Sequence, residues 1–171
     1  MSDKVRVGLV GYGFASKTFH APLIAGTSEM ELAAVSSSDA TKVHADWPAM
    51  QVVADPQALF DDPTIQVIVI PTPNDTHFPL AKAALNAGKH VVVDKPFTVT
   101  LSQARELDAL AKAKGLLLSV FHNRRWDSDF LTLKTLLAEG SLGEVRYLES
   151  HFDRFRPEVR QRWREMKGAG S

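Results

Sequence analysis

Val5-Arg6-Val7-Gly8-Leu9-Val10-Gly11-Tyr12-Gly13-Phe14-Ala15-Ser16-Lys17 is an apolar run that breaks into Gly-x-Gly and opens a helix-compatible segment. It reads as a nucleotide grip. A buried strand delivers the chain to a tight turn, Gly11 lets the turn form, and Gly13, with no Cβ, lets a pyrophosphate approach the N–H groups at the helix start. Ser16 stands where the fingerprint asks for Gly or Ala, which loosens helix–strand packing slightly and leaves the phosphate logic intact. Gly11, Gly13, Phe14 and Ser16 are therefore cofactor-binding candidates. A Gly-x-Gly pair also occurs in ordinary strand-to-helix turns. Its place after an N-terminal apolar strand, with strand and helix alternating behind it, favours the nucleotide reading.

The 171 residues suffice for one well-buried domain with a short appendage. An apolar content of 44% with 23% charged residues is the mix of a soluble globular protein. No apolar run approaches the ~20 residues of a membrane span. Met1-Ser2-Asp3-Lys4 leads into the first strand without an apolar signal core, so a cytoplasmic location is expected. The absence of cysteine excludes disulfides, thiolate metal sites and a cysteine nucleophile. Twenty basic residues balance 20 acidic ones, which gives no global field for nucleic acid or an acidic membrane.

Along the chain, Phe14 to Ile24 predicts a short helix that kinks or restarts at Pro22, and Glu31 to Val35 a second strand. That strand ends in Ser36-Ser37-Ser38-Asp39. At this point of a dinucleotide fold an acidic side chain favours the free 2′-hydroxyl of NAD, whereas serines and a nearby cation suit the 2′-phosphate of NADP. Ser36, Ser37, Ser38 and Lys42 point to NADP; Asp39 keeps NAD possible, and Ser38 or Asp39 also suits a helix cap. A helix over 39–47, a short strand at Val52-Val53 and a helix start at Asp55-Pro56 follow. Ile65 to Ile70 is a β-branched run typical of a strand covered on both faces. Two prolines hold the next segment, Pro71 to His77, extended at the ligand edge, making Thr72, Pro73, Asn74 and His77 candidates.

His77 to Asn86 predicts a helix with Pro79 in its first turn, and His90 to Val93 a fifth strand that delivers Asp94-Lys95-Pro96 to the same edge. Thr100 caps a helix with a buried stripe of Leu101, Ala104, Leu107 and Ala111, closed by Gly115. Leu116 to Val120 is a sixth strand, Trp126, Phe130, Leu133 and Leu137 mark a longer helix, and Glu144 to Glu149 reads as a further strand. The alternation predicts an α/β, doubly wound parallel sheet with its polar strand ends gathered in one crevice.

Lys95 is the leading catalytic candidate. Carried out of an apolar strand and locked by Pro96, it is expected to be partly desolvated and ready to donate to a substrate oxygen. Asn123 can pair with a carboxamide through donor and acceptor together, and His122 is either a donor to ligand or, the favoured reading, a residue packed beside Trp126. The six histidines lack metal spacing, and no Gly-x-Ser-x-Gly elbow suggests a hydrolase. The basic and aromatic segment 153–164 could suit single-stranded nucleic acid, but its interspersed acids favour a loop folding over an anionic cofactor.

The sequence resembles the Gfo/Idh/MocA oxidoreductases in Gly8-Leu9-Val10-Gly11-Tyr12-Gly13, Phe19-His20-Ala21-Pro22, Gly88 to Pro96 and His122-Asn123-Arg124-Arg125-Trp126-Asp127. Arg156-Pro157-Glu158-Val159 and Arg162-Trp163-Arg164-Glu165 resemble the NADP-dependent scyllo-inositol dehydrogenase branch. The resemblance implies that Lys95 is the active-site lysine of a Glu-Lys-Pro motif in which Asp94, a ribose-contact candidate, replaces Glu. It also implies that Asn123, Trp163 and Arg164 approach the nicotinamide. A polyol or sugar would be the substrate and the whole protein a homo-oligomer. Family members are about twice as long, and the catalytic histidine and a β-sheet domain lie in the part that would follow Ser171. The expectation is therefore a Rossmann domain over residues 1–122 and the truncated start of a C-terminal α+β domain over 123–171, inactive alone. A non-catalytic dinucleotide sensor or partner-binding module is the alternative.

Overall fold

The computed structural model describes residues 4–158. Six strands form one sheet: β1 (Val5–Val10), β2 (Met30–Ser36), β3 (Gln51–Val53), β4 (Val67–Ile70), β5 (His90–Asp94) and β6 (Leu118–Phe121). Their order is β3-β2-β1-β4-β5-β6, and every pair is parallel. This is the doubly wound Rossmann arrangement. Parallel strands need crossovers, and the helices that make them cover both faces.

The alternation of side chains along each strand divides the core in two. Val7 and Leu9 of β1 and Val69 of β4 pack with Ala21 and Ile24 of α1 (Ala21–Gly26) and Val43 of α2 (Ala40–His44). Val10, Ile68 and Ile70 face the other way. They join Leu59 and Phe60 of α3 (Gln57–Asp61), Ala81, Ala84 and Leu85 of α4 (Asn74–Asn86), and Leu107 and Ala111 of α5 (Leu101–Lys114). Burying each large aliphatic side chain contributes about 1.5–3 kcal/mol, so the central strands carry most of the cohesion. The ends of α5 follow their local chemistry. Thr100 and Gln103 form a reciprocal capping box, and Gly115 closes the helix at φ 65°.

Several local expectations need correction. The first helix opens in α conformation at Phe14 and Ala15, passes into a π turn, Ser16–His20, in which the Ala21 N–H reaches the Ser16 carbonyl, and then becomes α1 with Pro22 in its first turn. The wider turn comes before the proline, whose ring would otherwise press on the carbonyl four residues back. Helix α4 starts at Asn74, so only 71–73 of the proline segment is non-helical and Pro79 falls in the second turn. Leu101 is exposed and Ala104 half-buried, because the first turn of α5 overhangs the core that Leu107 and Ala111 enter.

Residues 4–121 and 122–158 belong to separate compact units. The second holds a 3₁₀ turn, Asn123–Trp126, and α6 (Ser128–Ala138), which begins two residues after Trp126. The strand expected over Glu144–Glu149 is not formed; these residues pair with no strand among the described residues, and a lone segment has no ladder to satisfy its backbone. His122 is exposed rather than packed. Among the described residues no helix is long and apolar enough to cross a membrane.

Leu9 is fully buried at the centre of the sheet. Leu9→Ala is expected to cost about 2–5 kcal/mol, seen as a lower urea midpoint at unchanged slope.

Candidate functional site

Because all six strands are parallel, their carboxyl ends share one edge. The chain leaves β1 toward β2 on one side and later returns to β4 on the other, so the turn after β1 sits where the strand order reverses. Gly11 makes this turn at φ 82°, a left-handed conformation that a side chain disfavours. Its N–H donates to the Ser36 carbonyl (2.7 Å), and its carbonyl accepts from Ser16 Oγ (2.8 Å). A Cβ on Gly11 would lie 3.3 Å from the Thr72 methyl, whereas one on Gly13 would meet no protein atom within 4 Å. The Gly13 α-carbon therefore faces open space, as the approach of a pyrophosphate to this turn requires.

Ser16 is completely buried and clasps the turn, so the departure from the glycine fingerprint is taken up as a hydrogen bond. Phe14 is largely exposed, edge-on to Phe19. Tyr12 is tied down by residues that the sequence reading passed over. Its hydroxyl donates to Asp46 Oδ2 (3.0 Å) and accepts from Trp47 Nε1 (2.9 Å), and Lys17 Nζ lies 2.8 Å from the same carboxylate. Lys17 and then Tyr12 hold the Asp46 carboxyl below its ordinary range.

At the end of β2, Ser36 is buried and Ser37 folds its hydroxyl back on the Asp39 backbone, donating to the carbonyl at 3.0 Å. Ser38 is exposed. Asp39 caps α2 through the Lys42 N–H (3.3 Å), and Lys42 Nζ lies 3.4 Å from its other oxygen. The bond from the Lys42 backbone is the main reason its carboxyl sits below the ordinary range.

The ends of β4 and β5 are strapped together. His77 is 1% exposed; Nε2 lies 2.9 Å from the Thr72 carbonyl and Nδ1 2.8 Å from that of Pro96. Both contacts are to acceptors, so the ring is committed to the two loops and offers no nitrogen to a ligand. Thr76 Oγ1 donates to Thr72 Oγ1 (2.6 Å). Pro73 is exposed and Asn74 buried. The Lys95–Pro96 peptide is cis. Lys95 is exposed, which corrects the expectation of partial desolvation: β5 ends at Asp94, and the following turn carries the side chain beyond the sheet.

Asp94 Oδ1 accepts the Lys95 N–H (2.7 Å), and Oδ2 lies 3.9 Å from Nε2 of buried His20, too far for a hydrogen bond but close enough for charge to be felt. Burial pushes the Asp94 carboxyl up, while the His20 imidazole, the Lys95 N–H and the Lys95 ammonium together pull it further down, leaving it below the ordinary range. His20 was not among the candidates, although its spacing was a signal: Ser16, His20 and Ile24 recur every four residues, and all three are buried. Asn123 opens the 3₁₀ turn of the second unit, where Arg124 Nη1 pairs with Asp127 (2.7 Å). Trp163 and Arg164 lie outside the described residues.

The family model described as "Oxidoreductase family, NAD-binding Rossmann fold" matches residues 5–122. The chain belongs to the Gfo/Idh/MocA oxidoreductase family. It is 79% identical over its full length to the uncharacterized oxidoreductase YdgJ of Escherichia coli strain K12, covering 49% of that protein. It is 40% identical over 169 residues to the Bacillus subtilis scyllo-inositol 2-dehydrogenase (NADP(+)) IolW, covering 99% of this chain and 47% of that protein. The structure of YPO2259 from Yersinia pestis superposes with a TM-score of 0.93 at 79% identity, over 96% of this chain and 47% of that one. This family member thus spans about half the length of the relatives it matches. Its residues fit a nicotinamide dinucleotide on a structural count: the space over Gly13 is clear of protein at the point where the strand order reverses.

His77→Phe keeps most of the ring volume but takes the ring nitrogens away from the Thr72 and Pro96 carbonyls. It is expected to lower stability by about 2 kcal/mol or more in urea denaturation. A carboxyl depressed in the fold stabilises it above the ordinary carboxylate range and loses that contribution as pH falls through the folded value. Asp94→Asn is therefore expected to flatten the acid limb of the stability curve below about pH 4, measured by urea midpoints across pH.

Proposed function

We propose that this chain carries the NADP-binding part of an oxidoreductase that moves hydride between a polyol or sugar hydroxyl carbon and nicotinamide, with Lys95 at the reacting end. The open turn over Gly13 at the reversal of strand order carries the reading, since a pyrophosphate laid there meets the N–H groups of the helix start. The nicotinamide, when bound, supplies the hydride acceptor or donor. Gly11 and Gly13 hold the pyrophosphate, and the edge formed by Thr72, Pro73 and Asn74 lines its passage toward Asp94 and Lys95. Lys95 would hydrogen-bond the substrate oxygen: when that carbon gives up hydride the hydroxyl proton passes to a base, and when the carbon gains hydride the oxygen takes a proton back.

Preference for NADP rests on Ser38 and Lys42 more than on the whole serine run, because Ser36 is buried and Ser37 is engaged locally. Asp39 is occupied with its helix cap and with Lys42, which leaves less of its carboxylate for ribose hydroxyls. The NADP named for IolW supports the same preference, and the inositol named there supports a polyol substrate.

Titration with NADPH and NADH, followed by nicotinamide fluorescence, tests the reading. NADPH is expected to bind at least about tenfold more tightly, a difference near 1.4 kcal/mol, and Ser38→Asp to remove that preference. Equal affinity in the unaltered chain would reject the NADP assignment. The 171-residue chain is expected to form no detectable NADPH from inositols or sugars; robust turnover would overturn that expectation.

A further inference from the structure

We propose that His20 is a positioning residue for Lys95, acting through the Asp94 carboxylate. The inference rests on the reading that Lys95 works at the nicotinamide end. His20 is 4% exposed, and its Nε2 is the one buried side-chain nitrogen or oxygen without a hydrogen-bond partner among the described residues. A buried polar atom left that way is unfavourable. The polar group it faces is Asp94 Oδ2 at 3.9 Å. The π turn Ser16–His20 delivers the ring to this place directly after the glycine turn, and Phe121, with ring centroids 4.4 Å apart and planes at 49°, packs against it. Such π turns recur at functional sites.

From Asp94 the contact runs on. Oδ1 accepts the Lys95 N–H at 2.7 Å, so an imidazole that restrains the other carboxylate oxygen electrostatically from 3.9 Å also restrains the peptide that carries the lysine. The depressed Asp94 carboxyl agrees with a charged group held between these partners. The helix that begins at the pyrophosphate turn thereby braces the turn that bears Lys95, and the two ends of the proposed cofactor site are set against each other by one side chain.

The experiment compares His20→Leu, which removes the polar atom, with His20→Gln, whose amide nitrogen can stand in for Nε2, in the 171-residue chain. Amide hydrogen exchange at Lys95 is read by NMR, and affinities are read for NADPH and for 2′,5′-ADP, which lacks the nicotinamide end. In His20→Leu the Lys95 amide is expected to exchange about tenfold faster with distant amides unchanged. NADPH is expected to bind about tenfold more weakly and 2′,5′-ADP within about twofold of the unaltered chain. His20→Gln is expected to restore both. Unchanged exchange at Lys95, failure of Gln to improve on Leu, or parallel loss of NADPH and 2′,5′-ADP overturns the proposal. Should neither nucleotide bind the unaltered chain, the proposed function fails and the exchange readout alone decides the His20–Asp94 relay. Should His20→Leu not fold, His20→Phe, which keeps a ring against Phe121 but carries no polar atom, is read in its place, with the same faster exchange expected at Lys95.

Discussion

The Gly11 turn is held from both neighbours of β1, and the arrangement of the site depends on that. The Gly11 N–H goes to Ser36 at the end of β2, its carbonyl to Ser16 at the start of the helix, and its bare α-carbon fits against the Thr72 methyl at the end of β4. A parallel sheet with β1 at its centre is what brings these three partners to one place. An antiparallel neighbour would put its carboxyl end at the opposite edge.

Further along that edge, side chains take over from backbone. The His77 ring joins the loop after β4 to the turn after β5, and the Asp94 carboxylate joins that turn to its own lysine peptide. Charges along the edge are matched in pairs: Asp39 with Lys42, and Asp46 with Lys17. Each carboxylate is thereby given a local partner beside a region suited to an anionic ligand. Being exposed, these pairs contribute little to stability; what they set is the local field.

The two compact units differ in how they use apolar residues. In residues 4–121 the strands are covered on both faces, and the large aliphatic side chains of β1 and β4 are buried. In the second unit Trp126, Phe130, Leu137, Tyr147 and Phe152 are all exposed. Family membership rests on the first unit, whose boundaries nearly coincide with the matched residues 5–122.

Period and punctuation determined the layout in advance. The apolar run at Val5–Val10, the β-branched run at Val67–Ile70, the glycine turn, the Thr100 cap and the Gly115 stop are local signals, because turns, caps and strand patterning are each decided within a few residues. Tertiary structure decided which polar residues face outward and which are consumed. Ser16, Ser37 and His77 have the chemistry of ligand donors, yet each gives its hydrogen bonds to neighbouring backbone, and Lys95 leaves the sheet for solvent. The strand expected at Glu144–Glu149 found no partner, since a strand exists through a neighbour that its own sequence cannot supply. His20 became visible for the same reason: a buried nitrogen beside Asp94 is a relation between residues 74 positions apart, and such relations are fixed when the chain is packed.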